Sequence, residues 1–241
     1  LDQQLEGKAA FGGAVHNSLQ TEQRQQIASQ LMPIIRGKTS EHQRQLGHFN
    51  DSDEVLEFVN SGELQALAEL GTSCPDHFLR TKIKPFVVDF DPRQFDSETA
   101  NLSSVIEGLD AALEQYRDDY NAYYNRCKHD NSPAVRDANP IVYLIPGVGM
   151  LTFAKDKATA RIAGEFYVNA INVMRGASGV SEYMGLPEQE AFDIEYWLLE
   201  EAKLQRMPKE QPLSRKVAFI TGAGGGIGKA IADKLSTEGA N

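Results

Sequence analysis

Apolar residues recur at helical spacing along most of the chain. Ile27 and Leu31, four apart in a polar stretch, predict a helix over residues 20–32 that Pro33 should end. Past the helix-start cluster Asn50-Asp51-Ser52-Asp53, a second pattern runs through Val55, Leu56, Val59, Leu64, Leu67 and Leu70 and stops at Gly71. Val105, Leu109, Leu113, Tyr116, Tyr120 and Tyr124 mark a long amphipathic helix over 102–128. Another is predicted over 156–175, with Ala160, Ala163, Phe166, Ala170 and Val173 on one face and Gly176 as its stop. A last one covers 188–206, apolar at Ala191, Ile194, Trp197, Leu198 and Leu204. Short runs at 44–49, 85–90 and 140–145 read as strands, the last broken by Pro146-Gly147-Val148-Gly149. Strands separated by helices predict an α/β layered domain with a mostly parallel sheet, in which 85–90 and 141–145 are hydrogen-bonded. The polar, two-proline stretch near 206–212 sets a boundary: an α/β domain at 1–207, a linker at 208–214 and a separate unit at 215–241.

Composition narrows the partners. Of 241 residues, 34 are acidic and 24 are Lys or Arg, so the net charge is -10. That balance argues against nucleic acid and anionic membrane as partners. Basic residues prevail in the last segment, where Arg215, Lys216, Lys229 and Lys234 face Asp233 and Glu238. Cys74 and Cys127 form no paired motif, and the first residues show no signal peptide, which together predict a cytoplasmic location. A first residue other than Met, and a last segment that stops just past a predicted helix, suggest a piece of a longer protein.

The chemistry is densest at Lys216-Val217-Ala218-Phe219-Ile220-Thr221-Gly222-Ala223-Gly224-Gly225-Gly226-Ile227-Gly228-Lys229. A short apolar strand runs into glycines and then into a helix, the arrangement that admits a pyrophosphate to a helix N-terminus. The pattern G-x-G-x-x-G fails from Gly222, Gly224 and Gly226, and a P-loop fails because Ala230 follows Gly228-Lys229. What fits is T-G-x-x-x-G-x-G, at Thr221, Gly222, Gly226 and Gly228, which resembles the short-chain dehydrogenase/reductase family. The resemblance implies the first β-α unit of a truncated Rossmann domain, with Thr221, Gly222, Gly226, Ile227 and Gly228 binding NAD(P). NAD is favoured, because Ala223, Gly224 and Gly225 bring no cation into the loop for a 2′-phosphate. The family's Y-x-x-x-K belongs far downstream of its glycines. Tyr124 and Lys128 have that spacing but precede the nucleotide strand, so they read as neighbours one helical turn apart. With its catalytic residues absent, this piece is expected to be inactive by itself.

Three longer strings, 71–82 (GTSCPDHFLRTK), 145–150 (IPGVGM) and 186–197 (LPEQEAFDIEYW), resemble the bifunctional rhamnulose-1-phosphate aldolase/alcohol dehydrogenase family. It joins a class II aldolase to a short-chain dehydrogenase and covers nearly the whole chain. The resemblance implies retro-aldol cleavage of a phosphorylated ketose, coupled to NAD(P)-dependent alcohol or aldehyde oxidoreduction, in a homo-oligomer. It also implies a divalent metal, zinc as a rule, which polarises the ketose carbonyl. The family's H-x-H pair is missing among His16, His42, His48, His77 and His129, which places the metal centre upstream of this chain. Cys74 and His77 have C-x-x-H spacing without a second ligand pair, so a loop thiol is the simpler reading. Residues 1–207 would then be the C-terminal part of the aldolase region or a connecting α/β domain. Because Pro146-Gly147 stands where the family places a His-Gly pair, a degenerate aldolase-like module without its metal is one form of that reading.

Within 72–82, Asp76, His77, Arg80 and Lys82 gather as candidate acid/base and phosphate-binding groups. The alternative is a solvated polar loop tied by an Asp76–Arg80 pair. The rival to the enzyme reading is a non-catalytic domain that links two enzyme modules or forms oligomer contacts. An H-x-H upstream and a Y-x-x-x-K downstream would separate the two.

Overall fold

In the computed structural model, residues 9–40, 43–74, 77–95 and 102–241 are described. The first long helix, α1 (Thr21–Lys38), runs straight through Pro33 instead of ending there. Pro33 removes one backbone hydrogen bond, a cost of about 3 kcal/mol in a helix interior. Ile27, Ala28 and Leu31 are buried before it and Ile35 after it. Burying a side chain the size of Ile35 contributes about 2–3 kcal/mol, enough to carry the helix past the break.

The sheet is built from β1 (Leu46–Asn50), β2 (Phe86–Val87), β3 (Val142–Ile145) and β4 (Gly149–Ala154), in the order β1-β4-β3-β2. It is mixed, which corrects the expectation of a mostly parallel sheet. The pairs β1–β4 and β3–β4 are antiparallel, and β2–β3 is parallel. The difference lies in Pro146-Gly147-Val148, which joins β3 to β4 as a hairpin where the sequence suggested only a strand end. Gly147 takes φ 75° there, and its N–H donates to Asn60 Oδ1 at 2.7 Å. The expected pairing of 85–90 with 141–145 is present, in register Phe86↔Tyr143 and Val87↔Leu144.

Alternation along β3 and β4 sorts the core into two faces. Tyr143, Ile145, Leu151 and Phe153 pack with Leu31 of α1 and with Leu109 and Leu113 of α5 (Ser103–Cys127). Val142, Leu144 and Met150 pack on the other side with Phe58 of α2 (Asp53–Val59) and with Tyr167 and Ile171 of α6 (Lys157–Val180). The result is three layers, helix on sheet on helix.

Two helix ends also differ from expectation. Asp156 caps α6 by accepting from the Thr159 N–H at 2.7 Å, and the helix continues past Gly176 to Val180. Ala170, Ile171 and Met174 keep its apolar face docked, which offsets the ~1 kcal/mol that a glycine costs in a helix. Its stripe is rotated slightly from the one predicted: Tyr167 and Met174 are buried, and Val173 is exposed. The span 188–206 is two helices, α7 (Glu188–Glu195) and α8 (Leu198–Gln205), broken where Trp197 turns extended. Two short helices complete this part, α3 (Leu64–Leu70) and α4 (Phe78–Thr81).

Beyond α8, residues 216–220 join no ladder of the main sheet, and a final helix, α9 (Gly226–Thr237), follows the glycines. Ala218 N–H donates to the Asn241 carbonyl and Asn241 N–H to the Lys216 carbonyl, each at 2.9 Å. One residue bridging two that flank its partner is the bonding pattern of parallel strands. Among the described residues, no helix is long and apolar enough to cross a membrane.

Candidate functional site

The segment after α3 turns sharply at Gly71, whose φ is 72°. A Cβ there would lie 2.4 Å from the Ile83 carbonyl oxygen, so the close return of residue 83 requires glycine. The loop then passes through α4, and Lys82 takes φ 59°, a left-handed conformation that lysine rarely adopts. That twist carries the Lys82 side chain inwards, where 5% of the residue remains exposed. Its Nζ donates to the Asp137 carbonyl and sits 3.6 Å from the centroid of the Tyr120 ring. Burial pulls its pKa down to about 8, against the opposing pull of Glu195 and Asp137.

Glu195, at the end of α7, is buried as deeply. Its carboxylate accepts from the hydroxyl of Tyr120 at 2.5 Å and from that of Tyr123 at 3.3 Å. Desolvation pushes its pKa up, while Lys82 and the two phenols hold it down. The Tyr120 hydroxyl also meets the Tyr196 hydroxyl at 2.7 Å, and Tyr196 accepts from the Arg136 N–H at 3.2 Å. Arg136 lays its guanidinium 5.2 Å from the Tyr196 ring centroid and bonds Glu201 at 3.2 Å. Its Nε is buried without a hydrogen-bond partner.

Lys82, Arg136, Asp137 and Glu195 border a cavity of about 380 Å³. It lies where β4 ends and β3 begins, at the opposite end of the sheet from the Pro146–Val148 turn. Arg80, Lys82, Arg136, Lys155 and Arg215 line it, with Asp137 and Glu195 as its carboxylates. Arg215 reaches it from the glycine-loop segment, donating to the Arg44 carbonyl at 3.0 Å and pairing with Glu210 at 2.7 Å.

Of the four residues singled out in the loop, the structure brings Arg80 and Lys82 to the cavity. His77 is buried elsewhere, edge-on to Phe166 at 4.7 Å between ring centroids. Asp76 lies outside the described residues, and with it the expected Asp76–Arg80 pair. Sequence reasoning missed Arg136, Glu195, Lys155 and Arg215. One signal was available: Glu195 falls on the stripe Ala191, Phe192, Tyr196, and an acid within an apolar stripe has to be buried with partners. Tyr124 on α5 and Lys128 just past its end are neighbours, the ammonium 5.7 Å from the ring. Among the described residues, no three His, Cys, Asp or Glu side chains converge to hold a metal ion. The donor set for the implied metal is not found among them.

The glycine loop is exposed from Thr221 to Ile227, and Gly228 is half-buried. Gly222 and Gly226 have φ of 70° and 53°. Gly228 lies so close to the Gly222 carbonyl that a Cβ would come within 2.3 Å of its oxygen. The first turn of α9, at Gly226, Ile227 and Gly228, leaves backbone N–H groups without helical acceptors, a cradle that fits a phosphate group.

The chain matches the family described as Aldolase class II, second domain, over residues 26–204, and it belongs to that family. The matched region ends before the glycine loop. The chain is also similar to a Bacillus subtilis (strain 168) protein named Uncharacterized oxidoreductase YuxG, with 37% identity over 239 residues. The match covers 99% of this chain and 34% of the relative, so the chain spans about a third of the curated relative's length. No solved structure matches.

Proposed function

We propose that this chain is part of a two-activity sugar-catabolic enzyme, in which a class II aldolase region is joined to an NAD(P)-dependent short-chain dehydrogenase. The carrying observation is that a class II aldolase second domain is followed by a glycine turn that opens helix α9, with Gly228 packed against the Gly222 carbonyl. The oxidoreductase name of the Bacillus subtilis relative supports the same reading. In it, the aldolase region cleaves a phosphorylated ketose by a retro-aldol step, and the dehydrogenase region acts on an alcohol or aldehyde. The whole protein is a cytoplasmic homo-oligomer, with a divalent metal serving the aldol step outside the described residues.

The nicotinamide, when bound, supplies or accepts a hydride. The chain's own contribution is to hold the cofactor. The N–H groups of Gly226, Ile227 and Gly228 would hold the pyrophosphate, with Thr221 and Gly222 shaping the turn and Gly228 allowing its close approach to the Gly222 carbonyl. The parallel bonding of Asn241 to Lys216 and Ala218 is what a second strand of that domain would extend.

Calorimetric titration with NAD tests this reading. The full-length protein should bind saturably, and the 241-residue chain feebly at most, since one strand and one helix cannot enclose a dinucleotide. Gly228→Val in the full-length protein should abolish binding. Failure of the intact protein to bind either NAD or NADP, or undiminished binding by the variant, would overturn it.

A further inference from the structure

We propose that Lys82 is a modification site that takes up carbon dioxide as a carbamate, in the cavity between the sheet domain and the glycine-loop segment. The inference stands on the cavity alone and does not depend on the function proposed above. Lys82 lines that cavity with 5% of the residue exposed, and its left-handed backbone, at φ 59°, turns the side chain inwards. Strained backbone of this kind gathers at functional sites. The nitrogen is held by a carbonyl and a ring face with no carboxylate in contact. Burial draws its pKa to about 8, so near neutral pH about a tenth of it is a free amine.

A free amine beside an open cavity attacks electrophilic carbon, and the surrounding charge selects the electrophile. An aldehyde would give an imine, which on protonation adds a positive charge among Arg80, Arg136, Lys155 and Arg215. Carbon dioxide gives an anion among the same four cations, where opposite charges attract strongly out of water. In this step the nitrogen lone pair forms a bond to the carbon, and one C=O π pair moves onto oxygen. The nitrogen gives up one proton to solvent, and nothing is oxidised or reduced. It keeps one hydrogen, which still has the Asp137 carbonyl as its acceptor.

The new oxygens meet donors that lack partners. Arg136 Nε is buried without an acceptor, and its charge already acts on Lys82. Leaving such a donor unpaired is costly, and a carbamate oxygen would relieve it. Arg80 has no ion-pair or hydrogen-bond partner among the described residues. The groups that could oppose an anion are Glu195 on α7, Tyr120 and Tyr123 on α5, and Asp137 before β3. Burial keeps both phenols protonated. Desolvation pushes the Glu195 pKa up and the Lys82 charge opposes it, so loss of that charge lets Glu195 take up a proton. Asp137 is exposed and bonded to the Asn139 N–H at 2.9 Å. The carbamate thus turns one of five mutually repelling cations into their counter-ion, and one of those it pairs is Arg215 of the glycine-loop segment.

A trialkyloxonium reagent tests this, because it esterifies a carbamate and fixes it through digestion. The full-length protein is equilibrated with isotope-labelled bicarbonate near the Lys82 pKa of about 8, alkylated, and mapped by mass spectrometry. Label on Lys82 should exceed that on Lys155, half-buried in the same cavity, and on Lys128, outside it, at least fivefold. Arg80→Ala, an exposed change that breaks no contact, should lower the Lys82 yield at least threefold, and Arg80→Lys should restore most of it. Propanal with cyanoborohydride should alkylate Lys82 no faster than Lys155. Absence of label at Lys82, equal label on the three lysines, an Arg80→Ala variant that traps as much as the parent, or preferential alkylation of Lys82 by propanal would each overturn the proposal.

Discussion

Lys82 holds a charge largely withdrawn from water. Its ammonium rests on a carbonyl and an aromatic face, and burial draws its pKa from 10.5 to about 8. Above pH 8 the folded protein therefore releases this proton, while the unfolded chain keeps it until about pH 10.5. Where the unfolded state binds more protons, stability rises with pH. The penalty from Lys82 is thus full below pH 8 and fades as the pH climbs towards 10.5. Compared with Lys82→Met, the wild-type protein should gain stability by up to about 1 kcal/mol per pH unit across pH 8–9.5. Urea unfolding of both proteins in parallel measures it, and tyrosine ionisation common to both cancels. A difference that stays flat over that range would show that the ammonium is not desolvated. Arg80 and Lys82 were legible as candidate ligands because they sit in one polar loop. Arg136 and Glu195 were not, since they lie more than fifty residues further along the chain and meet the loop only through packing on α5. The burial of His77 was illegible for the same reason, because its ring partner Phe166 belongs to α6.

Elements were legible wherever local periodicity fixed them. The helices α1, α5 and α6 and the strands β2 and β3 follow from apolar spacing, but their ends depend on burial that spacing does not report. At Pro33 the helix continues because Ile35 has a place in the core. Pro33 is exposed, so Pro33→Ala should restore a hydrogen bond without disturbing packing. Allowing for the greater freedom of the unfolded chain, the net gain should be about 1–2 kcal/mol, read as a higher urea midpoint. A loss of stability would mean that the proline relieves a strain elsewhere. The hairpin was illegible for a different reason: Pro146-Gly147-Val148-Gly149 looks like an end, and antiparallel pairing with residues 46–50 is a long-range event. Gly149 carries that pairing, with φ 137° and a hypothetical Cβ 2.7 Å from the Asn50 carbonyl oxygen. Gly149→Ala should therefore cost about 2–3 kcal/mol, by strain and by displacing β1 from β4. A thermal midpoint within a degree of wild type would refute that role.

On the scale of the whole chain, two compositions meet near Arg215. The acidic three-layer domain buries both faces of its sheet but leaves Met184, Trp197, Leu198 and Leu199 exposed, and the last segment likewise leaves Val217, Phe219, Ile227 and Ile231 exposed. A strand and a helix with open apolar faces are what the first β-α unit of a larger sheet would present, and under the proposed function the remaining strands cover them. The same reading fixes a preference between cofactors. In dinucleotide folds a 2′-phosphate needs a cation near the ribose, and the glycine turn is one place that can provide it. Here Ala223, Gly224 and Gly225 fill the turn, and the nearest cation, Lys229, lies inside α9 bonded to Asp233 at 3.0 Å. An i, i+4 pair of this kind points the ammonium down the helix, away from the turn. Without a cation in the turn, the extra phosphate of NADP gains nothing there, so the full-length enzyme should favour NAD in kcat/KM by about tenfold or more. Parallel steady-state kinetics with the two cofactors decide this. If NADP prevails, Lys229 is the first residue to test: loss of the preference in Lys229→Ala would mean that it abandons Asp233 when the cofactor binds, and an unchanged preference would place the responsible cation outside this chain.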